Sequence, residues 1–441
     1  MSWRLKLKNA GKITALTSPG AAAALRPARI FGLHPNVFFL GLTSFFNDFS
    51  SELIFTLVPL FLTNVLGVST VIVGLIGGIS GSSDAVFRII SGWYSDRVGR
   101  RKVFAVLGYA VSNVAKPFMY IAGSWGAVTG IRFVDRMAKG VRNAPRDALV
   151  ADSVAQSDRG KAFGLQRALD TSGAVVGLAT AALIIYLVQG AYKELELNTF
   201  RWMVTVSIVP GILAVLVILF LVKEAKKSAK VATSVVPGSA SRGLSRRFKI
   251  YLMILGIFTL GNTSDFFVIL RAQNLGESLI YIALILVMFN LIYAAAATPS
   301  GIISDRLGRR RLIILGWLVY AAVYIGFAVA NAPWHVWLLF AGYGIYYALV
   351  EGVSRAFVAD LVPAEKRGTA FGWYYGVLSI ALLPASLIAG WMWSAVSPAS
   401  TFYLGAGLAF IAALGIWLLV KEEHEGIIKP PIIVQGQKEI R

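Results

Sequence analysis

The chain of 441 residues contains no cysteine, which excludes disulfides, thiolate metal sites and cysteine nucleophiles. Histidine is almost as scarce: His34, His335 and His424 are the whole set, too far apart in sequence to form a metal motif. Charge is thin as well, at 15% of residues, where a soluble domain carries about 25%. There is neither a P-loop nor an HExxH zinc motif, so nothing points to an ATP-driven pump or a zinc enzyme, and we expect no cofactor and no metal. What is abundant is apolar. The AVILMFWYC set makes up 57% of the chain and 43 residues are glycine, against roughly 45–50% for an ordinary domain with glycine already counted. No single core could bury so much apolar surface, so lipid is the missing solvent.

An apolar run needs roughly 20 residues to cross the hydrocarbon core. Twelve such runs fall at 36–64, 69–92, 103–122, 125–145, 162–187, 200–222, 250–274, 278–302, 312–331, 334–358, 369–393 and 401–420. Of the 42 basic residues, 31 lie in tails and loops of one side, two on the other (Lys193 in its loop and Arg201 at the outer end of its span) and nine deeper inside spans. The positive-inside rule then places both termini in the cytoplasm. The basic N-terminal tail, 1–35, has no early hydrophobic core or cleavage site and does not read as a signal peptide. It leads into a six-helix bundle at 36–222. A basic cytoplasmic linker at 223–249, with eight cations against Glu224 alone, joins this to a second six-helix bundle at 250–420 and a cytoplasmic tail at 421–441. The net charge of +20 thus reflects topology and contact with anionic lipid headgroups, not nucleic-acid binding.

The two bundles are related by an internal repeat. GWYSDRVGRRK at Gly92–Lys102 recurs as GIISDRLGRRR at Gly301–Arg311, an offset of 209, and VADSVAQSDRGKAFG at Val150–Gly164 recurs as VADLVPAEKRGTAFG at Val358–Gly372, an offset of 208. Six duplicated spans of parallel topology are a build of transporters that hold their substrate between two bundles at mid-depth.

These residues resemble the major facilitator superfamily over essentially all of 36–420. The family signature after its second helix, G-x-x-x-D-R-x-G-R-R-K, is filled by Gly92, Asp96, Arg97, Gly99, Arg100, Arg101 and Lys102. Its weaker copy after helix eight is filled by Gly301, Asp305, Arg306, Gly308, Arg309 and Arg310. The resemblance implies that these loops latch the cytoplasmic helix ends and control switching between outward-open and inward-open states. An acid at a helix end, a glycine-permitted turn and several cations can exchange partners at low cost. A second family motif, R-x-x-Q-G-x-G on helix four, is kept at Arg136 and Gly140, whereas Lys139 and Arg142 depart from it and add two charges. In proton-coupled members the matching arginine is implied to tune a nearby carboxylate, a role the resemblance carries to Arg136. The antiporter motif G-x-x-x-G-P on helix five is incomplete: Gly173 and Gly177 keep the spacing but Leu178 replaces proline. Two glycines four apart also make a close-packing face, and packing is the favoured reading.

Ionisable groups inside the membrane must face the protein interior or each other. Asp48 and Glu52 are four apart on one face of helix one, close enough to oppose simultaneous ionisation and leave one carboxyl ready to carry a proton. Asp84 and Arg88, and likewise Glu351 and Arg355, are spaced for intrahelical ion pairs. On helix four, Arg132, Asp135, Arg136, Lys139, Asn143 and Arg146 make one polar stripe, and Lys116 adds a cation on helix three. Span cations outnumber span acids seven to five in the first half and balance two to two in the second. Asp265 has no cation three or four residues away and is a candidate partner across the cavity, with a packing hydrogen bond to Asn262 or to a neighbouring helix as the alternative. Asn47, Asn113, Asn290, Tyr293, Tyr343, Tyr346 and Tyr347 are candidate lining groups.

Together these features predict a secondary active transporter of a small solute, working by alternating access and coupled to protons through Asp48, Glu52 and Arg136. Substrate contacts are expected at Lys116, Arg132, Arg136, Lys139 and Asp265. Excess positive charge ranks an anionic or zwitterionic organic solute ahead of drug-like or cationic efflux, and a transporter-like sensor without transport comes last. The resemblance implies a monomer in a bacterial-type plasma (inner) membrane.

Overall fold

The computed structural model describes residue 30 and residues 32–154, 159–190, 193–224, 244–362 and 367–420. The tail residues 1–29 and 421–441 and the linker residues 225–243 lie outside them, and with them most of the tail and linker boundaries drawn above.

Every predicted span is helical. In chain order they are α1 (Pro35–Val65), α2 (Thr70–Val98), α3 (Arg101–Ala115, continued as a 3-10 turn over Lys116–Ile121) and α4 (Trp125–Asp152). Then come α5 (Arg159–Val188), α6 (Leu197–Phe220), α7 (Arg246–Asn274) and α8 (Leu279–Leu307). The last four are α9 (Arg309–Val329), α10 (Trp334–Asp360), α11 (Arg367–Ala395) and α12 (Pro398–Leu419). Serine side chains cap the first turns of α4, α7 and α12 at Ser124, Ser245 and Ser397, satisfying N–H groups that the helix leaves unpaired. Among the described residues, ten of these helices are long and apolar enough to cross a membrane. The exceptions are α3, which Pro117 tightens after only 15 α-helical residues, and α4, whose polar stripe lowers its hydropathy. The chain is a multi-pass integral membrane protein.

Both bundles pack alike. In the first, α1 lies on α5 and α6 while α4 lies on α2 and α3; in the second, α7 lies on α11 and α12 while α10 lies on α8 and α9. The bundles meet along α2 with α11 and α5 with α8, a pair of contacts related by the same repeat. Two breaks escaped the sequence reading, which drew α1 and α7 as continuous. Helix α1 stops at Phe55, where Pro59 cannot donate the next helical hydrogen bond, and ends in a π turn at Phe61–Val65. Helix α7 stops at Gly261 and resumes at Phe266, across the polar run Asn262-Thr263-Ser264-Asp265. Leu57 and Asp265, one in each break, are separated by the repeat offset of 208.

The face opposite the basic loops is closed. Asn64 at the end of α1 and Gln273 at the end of α7 exchange amide hydrogen bonds of 2.9 and 3.4 Å. They are 209 residues apart, so the pair joins repeat-equivalent positions. Glycines bring α2 and α11 into backbone contact: a Cβ at Gly74 would overlap the Ser386 carbonyl, and one at Gly390 would meet the Thr70 carbonyl at 2.5 Å. Thr70 and Ser82 add hydroxyl bonds to the carbonyls of Gly390 and Ser379, at 3.1 and 2.5 Å. Gly173 and Gly177 on α5 press in the same way on the Phe45 and Phe49 carbonyls of α1, as the packing reading requires.

Overpacking a close contact of this kind destabilises by about 1–3 kcal/mol. Gly74→Ala and Gly390→Ala should therefore each lower the melting temperature of the purified protein by roughly a few degrees. Gly126→Ala and Gly407→Ala, where a Cβ meets nothing within 4 Å, should leave it unchanged.

Candidate functional site

A cavity of about 300 Å³ lies between the bundles, walled by α1 and α4 on one side and by α7, α8 and α10 on the other. Its size is at the lower end of the roughly 300–1,000 Å³ usual for small-molecule sites. The stripe on α4 faces into it, because 3.6 residues per turn bring positions 132, 135, 136, 139 and 142 to one side of the helix. Four cations line the cavity, Arg132, Arg136, Lys139 and Arg142, together with four carboxylates, Asp48, Glu52, Asp135 and Asp265. Its formal charge is balanced, which corrects the positive excess expected from span composition. The surplus cations of the first half lie elsewhere.

Asp135 is the centre of the α4 wall. It accepts a 2.6 Å bond from Ser112 and has Arg136 and Arg132 at 3.9 and 4.0 Å. The Arg132 guanidinium is only 3% exposed and lies over the rings of Phe55 and Phe266, 4.4 and 5.8 Å away, so both bundles hold it by cation–π contact. Its Nε and Nη1 donors have no hydrogen-bond partner, nor does Nε of Arg136 or Arg142. The Lys139 side chain lines the cavity and makes no hydrogen bond or ion pair among the described residues. On α1, Asp48 accepts from Asn47 at 3.1 Å and lies 4.0 Å from Arg142, while Glu52 receives the Thr56 hydroxyl. In the α7 break, Asp265 accepts from Tyr343 at 2.7 Å and from Tyr347 at 3.1 Å. These bonds come from the neighbouring helix α10, one of the two alternatives for Asp265; Asn262, the other, bonds Tyr346.

Lys116 is placed differently from the expectation. Its ammonium is 1% exposed and lies behind the α1 wall, donating to Asn113, Ser50 and the Asn47 carbonyl at 2.9, 3.0 and 3.4 Å. Pro117 explains this, since the tightened 3-10 turn carries the side chain into the bundle. Asn47 is fully buried and bonds Asn113, Asp48 and Arg142, so it supports the wall rather than lining it. Of the other lining candidates, Asn290 and Tyr343 reach the cavity. The pairs read from spacing form: Asp84–Arg88 at 2.7 Å and Glu351–Arg355 at 3.3 Å.

Toward the basic loops lies a second cleft of about 720 Å³, containing Arg146, Arg167, Asp170, Tyr293, Arg309 and Arg355. Between it and the central cavity, Arg167 of α5 donates to the Tyr293 hydroxyl at 2.5 Å and lies 3.6 Å from Glu351; Tyr293 in turn donates to Glu351. This bridge between bundles went unread in the sequence, where only the Glu351–Arg355 half of it has a spacing signal.

The basic loops tie helix ends together. Gly99 ends α2 with φ +74°, its N–H bonded to the Ser95 carbonyl at 2.8 Å. Arg101 pairs with Asp152 at the end of α4, and Lys102 donates to the Leu219 carbonyl at the end of α6 at 2.8 Å. Glu224 accepts the backbone N–H groups of Arg101 and Lys102, each at 3.0 Å, a favourable place for a carboxylate at a helix start. In the second copy Gly308, φ +94°, ends α8 and directly precedes α9. There Arg309 pairs with Asp360 at 3.0 Å, and Arg310 donates to the Ile416 and Trp417 carbonyls. Arg309 therefore does what Arg101 does, at an offset of 208, although the letters align Arg309 with Arg100. One extra residue at the first turn, Arg100, accounts for the two offsets in the sequence. Arg97, Arg100 and Arg306 are exposed and Gly301 has open space around it. The surroundings of Gly92 and the side chains of Asp96 and Asp305 lie outside what the structure describes.

The sequence model of the Major Facilitator Superfamily matches residues 40–271 and again 250–436. An uncharacterized MFS-type transporter of Methanocaldococcus jannaschii is 37% identical, over 87% of this chain and 94% of its own. The cis,cis-muconate transport protein of Acinetobacter baylyi is 23% identical, over 81% of this chain and 87% of its own. Among solved structures, a mutant of the nucleoside transporter NupG is similar in fold, with a TM-score of 0.72 at 13% identity, covering 87% of this chain and all of that one.

Half-exposed ion pairs are worth up to about 1 kcal/mol. Double-mutant cycles on thermal stability should give coupling of that order for Arg101 with Asp152 and for Arg309 with Asp360. Arg100→Ala should change stability by less than about 0.5 kcal/mol, against the letter-by-letter alignment of the two loops.

Proposed function

The chain belongs to the major facilitator superfamily, and on that premise we propose that this secondary transporter moves a small anionic or zwitterionic organic solute by alternating access, coupled to protons. The carrying observation is Arg132, a nearly fully buried guanidinium on the cavity wall whose Nε and Nη1 make no hydrogen bond, with the Asp135 carboxylate 4.0 Å away. Leaving buried charged donors unpaired is costly, and a carboxylate or phosphate on a solute satisfies them with charge-assisted bonds. Arg136 and Lys139 extend the same anion-binding wall. The relative named for cis,cis-muconate, a dicarboxylate, supports this class. Drug efflux loses support because Gly173 and Gly177 are taken up in packing on α1 and the cavity is charged.

Asp48 is the proton carrier in this reading. A proton on Asp48 removes its attraction to Arg142 and frees that guanidinium to serve the solute, so the two ligands bias each other through one group. Such a ligand shifts the transporter only by binding its states with different affinity. The Asn64–Gln273 pair and the α2–α11 contact close one end; the Arg167–Tyr293–Glu351 bridge and the basic-loop latches govern the other. We place the basic-loop face and both termini in the cytoplasm, the protein in a plasma (inner) membrane as a monomer, and lipid headgroups against its basic loops.

Charge movement recorded from proteoliposomes on a solid-supported membrane tests the reading. Organic anions should evoke currents that depend on a pH gradient, and Asp48→Asn should abolish solute-driven proton movement. Arg136→Ala and Lys139→Ala should weaken solute response more than Arg88→Ala, because Arg88 is paired with Asp84 outside the cavity. Unchanged proton movement in Asp48→Asn would remove that residue from coupling.

A further inference from the structure

The cavity has two unlike walls. The α4 side presents Arg132, Arg136 and Lys139, and the second bundle contributes Asp265 and no cation. Asp48 lies near Arg142, Asp135 lies between Arg132 and Arg136, and Glu52 receives the Thr56 hydroxyl on the same side as the cations. Asp265 differs from these. Its carboxylate accepts hydrogen bonds from two phenol hydroxyls and takes part in no ion pair among the described residues. The rings around it, Phe289 and Phe340 packed on Tyr343 at 5.7 and 6.4 Å, line the cavity with it.

We infer that the transported solute is a zwitterion bound end to end, its carboxylate on Arg132 and Lys139 and its ammonium on Asp265 within the aromatic wall. This rests on the transporter reading above and narrows its substrate class. A simple anion would engage the guanidinium donors but face the unpaired Asp265 carboxylate across a small enclosed space, where like charges repel strongly. A simple cation would satisfy Asp265 and leave the Arg132 donors desolvated and unbonded. A solute with both groups satisfies both walls, and the aromatic faces beside Asp265 suit an alkylammonium. The break in α7 makes this possible, since it places a carboxylate at mid-membrane in irregular backbone, where transporters of repeated build form their substrate sites.

The test is binding to the full-length purified protein, followed by tryptophan fluorescence and thermal shift. The probes are a graded series of straight-chain ω-amino acids, the carboxylic acids of matching length and the matching alkylamines. At the best length the ω-amino acid should half-saturate at a concentration about tenfold below its acid and its amine. Asp265→Asn should bring amino acid and acid to equal affinity, with acid binding kept as proof of folding; Asp265→Glu should restore the preference at a shorter probe. Arg132→Gln with Lys139→Gln should lose the preference over the amine. Equal binding of acids and amino acids by the unaltered protein would overturn the zwitterion and leave anion transport standing. Binding of amines alone, or of no probe in the series, would overturn both. The comparison in the unaltered protein decides the matter even if a variant fails to fold.

Discussion

A guanidinium at the centre of a membrane helix costs about 2.5–3.5 kcal/mol on insertion scales, and α4 carries Arg132, Arg136 and Arg142 close together. The charged face of such a helix cannot meet lipid, so α4 turns that face inward, leaves Gly130 and Phe133 on its outer side, and its neighbours must answer its charges. Helix α3 supplies Ser112 to Asp135 and the Tyr109 ring to Arg142, and α1 supplies Asn47 and Asp48. The cations that protein groups leave incompletely satisfied turn toward the gap between bundles. In this way one helix that lipid rejects determines where the cavity forms and which chemistry it can hold.

Where the sequence was legible, the signal was periodic or local. Spans follow from apolar run length, and the α4 stripe from spacings of three and four. The Asp84–Arg88 and Glu351–Arg355 pairs follow from one helical turn, and the turn at Gly99 from a motif. Long-range placement was not legible. Lys116 and Arg132 are both cations in adjacent helices, yet one is buried behind the wall and the other lines it, because Pro117 tightens the backbone around the first. Arg167 finds Tyr293 and Glu351 on helices of the other bundle, and no spacing rule reaches so far. The break in α7 had a compositional hint in Asn262-Thr263-Ser264-Asp265, but the flanking apolar residues made the run look continuous.

The repeat is more than a record of duplication. It places breaks at matching depth in α1 and α7 and brings Asn64 and Gln273 together across the pseudo-symmetry axis. It also duplicates the basic latch as Arg101–Asp152 and Arg309–Asp360. The two halves have nevertheless diverged in chemistry. The first fills its interior with charged and amide groups, whereas the second stacks rings such as Phe258 on Trp317 and Tyr320 on Tyr324, with centroids 4.5 and 4.0 Å apart. The cavity between such halves is therefore charged on one wall and largely apolar and aromatic on the other.

The two ends of the pathway are also closed by different means, and the difference bears on which opens more readily. Opposite the basic loops, α2 and α11 touch backbone to backbone through Gly74 and Gly390, so separating them exposes a continuous packed surface. Toward the basic loops the bundles are bridged by Arg167 and Glu351, whose side chains remain 55% and 37% exposed. Exposed pairs contribute at most about 1 kcal/mol, and water can replace them as they part. Close packing between helices has no comparable substitute in lipid. Parting the Arg167–Glu351 bridge therefore exposes charged groups that water can solvate, whereas parting α2 from α11 exposes packed helix surface.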